Sequence, residues 1–598
     1  MSHRQPYHGQ SRKLVISFDI GTTYSGVSYC LLDPGEVPVI QGVNRFPAQD
    51  NGGDSKVPSI LYYDNKGKVR AVGAEALQES VLERAEDEGW HKAEWWKPHL
   101  RPKHMSTGLT DADIPPLPLG KAAAEILGDF LRYLFECTMT YIEQTHAQSP
   151  ELLASLKDSI DFVLSHPNGW EGPQQAQIRK AAVLAGLVGN KPQDQSRIQL
   201  VTEGEASLHF CMNSNLATSA FHDNQGVIVV DAGGGTIDLS AYYMTSNLAL
   251  FEEIAPTDCL LQGSIFVTRR AESYLRIKLQ GSKFGDESDV KEMTKVFDST
   301  TKLRFSTSSE AAYIKFGTIR DRDQDFGIRS GQLKLPGTDV AKLFEPSINA
   351  VIDAVNQQRQ AARKPINSVF LVGGFAASDW LFHSLKESLP KHGLNFSRPD
   401  SHTSKAVADG AVAFYLKHGV STRTARVTYG TRSAIEYNKT DPEHIKRAGT
   451  IIPRPSGRSV LPNAFSPILF KGMQVSGINR EFRKEFITDS ASRMTFDKVS
   501  IDIICYEGDD PAPRWIDSEP EKYWNLCTIT ADTSQVAKTI SSRMDVNGRQ
   551  FYRQEFNLVL TFGITELSAQ LSWMEDGVEQ RNPASVIYDH VIEERPSQ

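Results

Sequence analysis

Two similar glycine-rich loops, each directly after an apolar strand, are the segments of this chain best suited to chemistry. Residues 19–24 read Asp-Ile-Gly-Thr-Thr-Tyr, and residues 231–238 read Asp-Ala-Gly-Gly-Gly-Thr-Ile-Asp. Glycine turns of this kind bring backbone N–H groups close to a bound anion. The aspartate would repel a phosphate, so it is expected to face a divalent cation such as Mg²⁺. Two such loops predict two lobes that hold one magnesium nucleotide between them.

A third glycine element, Gly373-Gly374, ends the apolar strand at 369–372. Paired glycines after a buried strand let a flat ring approach the backbone. Ser378 is expected to cap the helix that follows, and the positive end of that helix dipole would lie beside the ring. Each element alone is also explained by an ordinary turn, because glycine marks turns everywhere. The order of the three elements along the chain favours a nucleotide site.

Other phosphate and nucleophile motifs do not match. Residues 21–28 nearly form a P-loop, but Val27 stands where that motif requires a lysine. The glycine run at 233–235 is not the G-x-G-x-x-G of a dinucleotide site, and no G-x-S-x-G is present. The sequence therefore argues against a Walker NTPase, a Rossmann dehydrogenase and a serine hydrolase.

The composition is typical of a globular protein with several domains. The chain has 598 residues, of which 40% are apolar and 23% charged, and its formal net charge is −8. Acidic and basic residues are mixed along it, which predicts no nucleic-acid and no membrane partner, because these need a concentrated basic face. No apolar run approaches the ~20 residues that span a bilayer, and no signal peptide or paired cysteine spacing is visible. We therefore expect a cytoplasmic protein, with the nucleus as the alternative location.

The order of predicted elements divides the chain in two. Residues 14–415 alternate between strands and helices, including a helix at 122–142 and a strand at 162–164, and this order predicts α/β layers. Beyond Lys417 strands dominate, and the apolar alternation at 556–573 predicts a half-exposed antiparallel sheet or sandwich. The predicted organisation is a tail (1–12), a nucleotide-binding domain (13–416), a polar linker (417–425), a β-rich domain (426–590) and a second tail (591–598).

The order of the three glycine elements resembles that in actin, the sugar kinases and the 70-kilodalton heat-shock chaperones. Residues 18–25 and 231–238 look specifically like the chaperone loops, and residues 201–206 resemble the chaperone element Asn-Glu-Pro-Thr-Ala. The resemblance covers residues 13–415 well and is faint beyond Lys417. It is strongest to a divergent branch that includes heat-shock 70 kDa protein 12 and many fungal chaperone-like proteins. It implies an actin-like ATPase with two ribonuclease H-like lobes, followed by a smaller β-rich domain.

The resemblance implies roles for the matching residues in binding ATP or ADP with Mg²⁺. Asp19 and Asp231 would position Mg²⁺, mainly through its waters, and Glu203 would help to order the attacking water. Lys97 is our choice for the phosphate-contacting lysine of the family, and its alternative interpretation is a solvated surface lysine. These charges suffice because phosphoryl transfer needs mainly positioning and charge neutralisation. The remaining nucleotide contacts would come from Gly21, Thr22, Thr23, Tyr24, Gly233, Gly234, Gly235, Thr236, Lys302, Ser306, Gly373, Gly374 and Phe375.

Three departures from the family pattern affect what the resemblance implies. After the glycine pair the family has Ser-Thr-Arg, with the arginine stacked on adenine, whereas this chain has Phe375-Ala376-Ala377. Phe375 is expected either to stack on the base or to pack in the core. The residue after Lys302 is Leu303 instead of the family's arginine. Neither an apolar interdomain linker nor a helical lid is recognisable, so base selectivity and ATP-driven clamping of peptides are the properties in question.

Three functions remain open from the sequence. The first, which we expect, is a chaperone-like, slow Mg-ATPase whose nucleotide state biases the β-rich domain, with unfolded or client polypeptides and co-chaperones as partners. The second is a nucleotide-binding scaffold with little hydrolysis, which the absent arginine favours. The third is a small-molecule kinase of the sugar-kinase type, for which no motif marks a catalytic aspartate in a substrate pocket.

Overall fold

The computed structural model divides into two compact units, residues 1–169 with 177–419, and residues 170–176 with 420–598. Among the described residues no helix is both long and apolar enough to cross a bilayer. The predicted tail at 591–598 lies outside the described part of the chain. The structure describes residues 6–49, 55–102, 114–118, 120–146, 149–156, 159–170, 172–213, 225–244, 251–399, 403–417, 420–476, 480–562, 567–575, 577–582 and 585–586.

The first unit is a mixture of strands and helices, as the alternating pattern predicts. Its strands are β1 (Lys13–Asp19), β2 (Tyr24–Leu32), β3 (Val39–Gly42), β4 (Lys56–Pro58), β5 (Leu61–Tyr63), β6 (Val69–Val72), β7 (His91–Ala93), β8 (Ile160–His166), β9 (Ile198–Thr202), β10 (Gly226–Ala232), β11 (Ile237–Met244), β12 (Phe251–Glu253), β13 (Asp258–Leu260), β14 (Ala312–Lys315), β15 (Ile328–Arg329), β16 (Gln332–Leu335), β17 (Ile366–Val372) and β18 (Asn395–Ser397). Its helices are α1 (Glu79–Asp87), α2 (Ala123–Thr145), α3 (Ser149–Leu156), α4 (Gly172–Leu184), α5 (Pro192–Gln195), α6 (Glu203–Asn213), α7 (Ser264–Lys278), α8 (Glu287–Val296), α9 (Lys302–Arg304), α10 (Gly337–Ala361), α11 (Asp379–Ser388) and α12 (Ala406–Lys417). The first residues of α4, up to 176, are assigned to the second unit.

Two sheets of this unit have the same strand order. One runs β3-β2-β1-β8-β9, and the other contains β12-β11-β10-β17-β18. In each, the strand that leads into an aspartate loop is antiparallel to the following strand and parallel to a later one. The mixed α/β architecture is therefore present, and the duplication seen in the loops extends to the sheets that carry them.

The helices that follow these two sheets pack against each other. Helix α6 follows β9 and packs on β10, whereas α12 follows β18 and packs on β1 and β2. Residues of β1 and β10 are almost entirely buried, because helices cover the sheets and the strands are continuous apolar runs. Ser17 of β1 also donates its hydroxyl to the carbonyl of Ala408 at 2.7 Å. Both aspartate loops therefore begin at the ends of rigid, central strands.

The second unit is mainly antiparallel β structure. Its two larger sheets run β21-β22-β20-β25-β26 and β24-β28-β29-β30. They share one apolar core, in which Tyr429 and Ile503 of the first sheet pack with Leu558 and Leu571 of the second. Its elements are β19 (Val420–Thr424), β20 (Thr428–Glu436), β21 (Ile452–Pro453), β22 (Ser459–Leu469), β23 (Gln474–Ser476), β24 (Arg480–Ser490), β25 (Lys498–Tyr506), β26 (Tyr523–Asp532), β27 (Ser542–Met544), β28 (Gln550–Phe562), β29 (Leu567–Glu575), β30 (Val578–Arg581), β31 (Ser585–Val586), α13 (Pro442–Lys446) and α14 (Ser534–Thr539).

The segment at 417–425, which is predicted to be a polar linker, contains the end of a helix and a short strand. Lys417 is the last residue of α12, and Val420–Thr424 form β19, which pairs with β23.

Candidate functional site

The first loop is braced by hydroxyl groups of its own segment and of a neighbouring one. The Gly21 amide donates to Ser25 Oγ at 3.2 Å, and Ser59 Oγ donates to the Gly21 carbonyl at 2.9 Å. Asp19, the last residue of β1, accepts a hydrogen bond from Lys56 Nζ at 2.7 Å. The loop is thus a braced turn that places a carboxylate and an ammonium group together.

The second loop is tied to the start of α7. The carbonyl oxygens of the glycine run at 233–235 accept hydrogen bonds from the amides of Gly263, Ser264 and Ile265 at 3.0–3.2 Å. The Gly233 amide donates to the Thr236 carbonyl at 2.8 Å, which closes the turn. These bonds set the orientation of the peptide groups in the loop.

The two loops face each other at close range. A methyl group added at Gly234 would lie 2.2 Å from Thr23 Oγ1, and one added at Gly235 would lie 2.4 Å from Thr22 Oγ1. Atoms without a bond between them do not approach this closely, so only glycine allows the threonines of one loop to meet the backbone of the other. The glycine run and the threonine pair are therefore complementary.

One cavity of about 540 Å³ joins nearly all the residues singled out in the sequence. Its volume falls within the roughly 300–1,000 Å³ of sites that hold a small molecule. Ser306 is exposed and is not among the lining residues, so the structure separates it from the others. The predicted residues that line the cavity are Asp19, Gly21, Thr22, Thr23, Tyr24, Lys97, Glu203, Asp231, Gly233, Gly234, Gly235, Thr236, Lys302, Gly373, Gly374 and Phe375.

Lys97 and Glu203 form a buried ion pair in this cavity. Lys97 Nζ lies 2.6 Å from Glu203 Oε1, and the side chains are only 8% and 10% exposed. Burial opposes the charge on the lysine, but the Glu203 carboxylate, with Asp19 and Asp238, raises the pKa of Lys97. The alternative interpretation of Lys97 as a solvated surface residue is therefore wrong. The pair therefore places a buried ammonium group and a buried carboxylate beside the two glycine loops.

At the end of the cavity that the two aspartate loops form, carboxylates outnumber lysines. Burial first, then the nearby Glu203 and Asp19 carboxylates, raises the pKa of Asp231 to about 7. Burial and Glu203 likewise raise the pKa of Asp238 well above its ordinary range. The backbone N–H of Asn168 donates to Asp238 Oδ1 at 2.7 Å and opposes this rise. Because burial is the first cause and a neighbouring carboxylate the second, a cation bound here would favour the ionised form of both groups.

This donor set fits a hydrated divalent cation. In the described ranges no three His, Cys, Asp or Glu side chains converge to hold a metal ion directly. Mg²⁺ retains several of its waters in such sites and often binds through one or two carboxylates plus phosphate oxygens. Asp19 and Asp231, on the two facing loops, are the residues that would hold those waters.

The end of the cavity at the glycine pair is more apolar. Gly373 has a φ of 93°, and its amide donates to the Thr403 carbonyl at 3.2 Å. Gly374 has open space where a side chain would stand. Phe375 is buried and stacks on Phe344, with ring centroids 6.2 Å apart, while also lining the cavity. The core packing expected as one option for Phe375 is therefore present.

The chain matches no family model. It is 24% identical over 503 residues to human heat shock 70 kDa protein 12B. The matched region covers 70% of this chain and 71% of that protein. It is 23% identical over 506 residues to heat shock 70 kDa protein 12A of human and of mouse, covering 70% of this chain and 72% of each relative.

The chain is therefore similar to these Hsp70-like relatives over about 70% of its length. This confirms the resemblance read from the two loops. The cavity is also lined by residues that the family motifs do not indicate.

Lys56, Asp298 and Ser264 line the cavity but were missed from the sequence. Asp298 forms an ion pair with Lys302 and also accepts from Thr268. The i,i+4 spacing of Asp298 and Lys302 could have indicated that pair. Lys56 carries no such signal, because only the pairing of β4 with β2 brings it to the loop.

Proposed function

We propose that this chain binds ATP or ADP with Mg²⁺ between its two glycine loops and hydrolyses ATP slowly. The observation that carries the proposal is the buried Lys97–Glu203 pair, 2.6 Å apart, in one cavity with both loops. Burying an ion pair is costly, so a pair placed among further carboxylates points to a site for charged ligands. Distant similarity to Hsp70-like proteins supports the same function.

Each residue would contribute charge or position to phosphoryl transfer. Backbone amides of the glycine loops and the hydroxyls of Thr22 and Thr23 would donate to phosphate oxygens. Lys97 would neutralise charge at the phosphate that is transferred, and Glu203 would orient the attacking water. Asp19 and Asp231 would hold the waters of the metal ion, whose positive charge would neutralise part of the phosphate charge. Positioning of this kind is sufficient for phosphoryl transfer.

The test compares variants of the buried pair in binding and in turnover. Lys97→Met is expected to reduce ATP turnover by about 100-fold or more, as for the loss of a preorganised charge in other enzymes. Glu203→Gln is expected to reduce turnover while ADP still binds. Lys121→Met is the matched control, because Lys121 also pairs with a carboxylate, Asp129, at 3.3 Å. Absence of ATP and ADP binding by the wild-type protein would refute the proposal.

The second candidate is a nucleotide-binding scaffold with little hydrolysis. The close contact between Glu203 and Lys97 favours it, because a carboxylate engaged by an ammonium group is a weaker base for water. Single-turnover measurement distinguishes the two functions. Bound ATP that persists without conversion to ADP would favour the scaffold.

We further propose a chaperone-like role in which nucleotide state biases the β-rich unit. Unfolded or client polypeptides would be the ligands of that unit, and co-chaperones would regulate the cycle. Hydrolysis is expected to rise when an unfolded peptide is added. A panel of sugars serves as the comparison, because sugar-dependent ADP release would instead indicate a small-molecule kinase.

A further inference from the structure

Lys56 brings a second ammonium group to the phosphate end of the cavity. It lies on β4, which pairs antiparallel with β2 so that Lys56 stands opposite Gly26. Lys56 Nζ is 2.7 Å from Asp19 Oδ2, and the lysine side chain remains 21% exposed whereas that of Asp19 is 5% exposed. Lys56 also lines the cavity together with both loops. It is therefore a residue of the cavity as well as the partner of Asp19.

The charge balance at this end gives Lys56 its importance. The carboxylates of Asp19, Glu203 and Asp231 line the cavity together with the ammonium groups of Lys56 and Lys97. A nucleotide adds several negative charges, and charges a few Å apart interact strongly where water is largely excluded. Lys97 is already engaged with the buried Glu203. Loss of Lys56 would leave the site with one more uncompensated negative charge.

We propose that Lys56 is a built-in cation that lowers the dependence of nucleotide binding on Mg²⁺. The proposal rests on the proposed function, because it requires a nucleotide in this cavity. The Lys56 ammonium partly neutralises the Asp19 carboxylate, which would also hold waters of the hydrated metal. An ammonium group has three donors, so Lys56 can keep Asp19 and also donate to a phosphate oxygen. Mg²⁺ also supplies positive charge, from solution, so each cation partly replaces the other.

The experiment measures ADP affinity by calorimetry on the full chain, in excess EDTA and in saturating MgCl₂. Wild-type protein is expected to lose about tenfold or less in affinity when EDTA replaces MgCl₂. Lys56→Gln is expected to lose about tenfold more than wild type in EDTA but about threefold or less in MgCl₂, the size of effect that one nearby charge produces at an intermediate dielectric constant. Lys56→Arg keeps the charge and is expected to stay close to wild type in both solutions.

Lys13→Gln is the matched control. Lys13 Nζ lies 2.7 Å from Asp161 Oδ2 at the opposite end of β1, so this variant removes a similar ion pair from the same sheet. Lys13 is not among the residues that line the cavity. Its substitution is expected to leave the affinities in EDTA and in MgCl₂ unchanged. Circular dichroism and denaturant unfolding verify that each variant is folded.

A second readout needs no nucleotide. Lys56→Gln frees Asp19, so the protein without nucleotide is expected to bind Mn²⁺ more tightly than wild type, as measured by electron paramagnetic resonance. Equal loss of ADP affinity in EDTA and in MgCl₂ would overturn the inference, because Lys56 would then act independently of the metal. Loss of more than about 100-fold by wild type in EDTA would also overturn it, since one nearby charge should offset much of the metal's contribution. Failure of wild type to bind ADP in MgCl₂ would refute the proposed function itself and this inference with it.

Discussion

The two aspartate loops share a backbone plan but differ in their electrostatic surroundings. Asp19 and Asp231 stand at the ends of corresponding strands in sheets of the same order. Asp19 accepts from the ammonium group of Lys56 at 2.7 Å, whereas Asp231 accepts from the hydroxyl of Ser207 at 2.9 Å. Burial, with Glu203 and Asp19 nearby, raises the pKa of Asp231 to about 7.

The difference shows that a repeated motif determines the conformation of the turn but not the group that pairs with its aspartate. Residues within each loop set the backbone, because the glycines allow the close approach of the two loops. The partner of each aspartate comes from elsewhere in the chain, Lys56 from β4 and Ser207 from α6. Variants that change these partners, or the aspartates themselves, test whether the two loops are equivalent.

The largest expected effect is the loss of turnover when either aspartate is neutralised. Asp19→Asn and Asp231→Asn each remove a carboxylate that would hold the waters of Mg²⁺, and ATP turnover is expected to fall by about 100-fold or more. Phosphate release measures the loss. Asp161→Asn is the control, because Asp161 pairs with Lys13 in the same sheet. Unchanged turnover in one of the two loop variants would show that only the other loop takes part.

The next effect is on stability, and it should distinguish the two aspartates. Folding raises the pKa of Asp231 from 3.8 to about 7, so the folded chain binds this proton more tightly than the unfolded chain. The resulting stabilisation is present below about pH 4 and is lost as the pH rises through about 7. Asp231→Asn has no such loss, so its stability relative to wild type should improve by about 3 kcal/mol from about pH 5 to about pH 8.

Urea unfolding at the two pH values, in EDTA and without nucleotide, measures this change. Asp19→Asn is the comparison, because it removes only one of the carboxylates that raise the pKa of Asp231 and should therefore gain only part of this improvement at high pH. The same pH dependence in both variants would contradict the difference in charge between the loops.

A smaller effect is expected when a side chain is added at Gly373, which lies against Asp231 and Ala232 of the second loop. A methyl group at Gly373 would lie 2.3 Å from Asp231 Oδ1 and 2.4 Å from the Ala232 carbonyl oxygen, at a φ of 93°. Gly373→Ala is therefore expected to cost about 1–3 kcal/mol of unfolding free energy and to weaken ADP binding. Gly374→Ala is the matched control, since open space surrounds that position. Thermal unfolding of both variants checks the prediction, and equal stability would contradict it.

The smallest effect is expected at Ser207. Ser207→Ala removes the hydroxyl that donates to Asp231 Oδ2 at 2.9 Å, a bond worth about 0.5–1.5 kcal/mol. Because that bond favours the ionised carboxylate, the pKa of Asp231 should rise further, and the pH at which its stabilisation is lost should move upward. Nuclear magnetic resonance titration of the Asp231 carboxyl measures the shift. A fall in this pKa would show that Ser207 does not favour the ionised form.

Prediction from the sequence succeeded where a residue acts through its own segment. Both glycine loops, the strand before Gly373 and the cap at Ser378, which accepts from the Leu381 amide, follow from local patterns. Lys97 was chosen because the resemblance implies a phosphate-contacting lysine, and in the structure it forms an ion pair with Glu203. Ser306 was chosen because the resemblance implies it, but α9 ends at Arg304 and Ser306 does not line the cavity. A match in residue type therefore did not place this side chain at the site.

The sequence by itself determined the two turns and the strands that carry them, because glycine, aspartate and apolar runs act over a few neighbouring residues. It also determined the resemblance to the Hsp70 family. Only the tertiary structure decided which charges meet, since Lys56 reaches Asp19 through strand pairing and Lys97 reaches Glu203 across more than 100 residues. Electrostatic partners depend on distance in space and on burial, and neither quantity is written in local sequence.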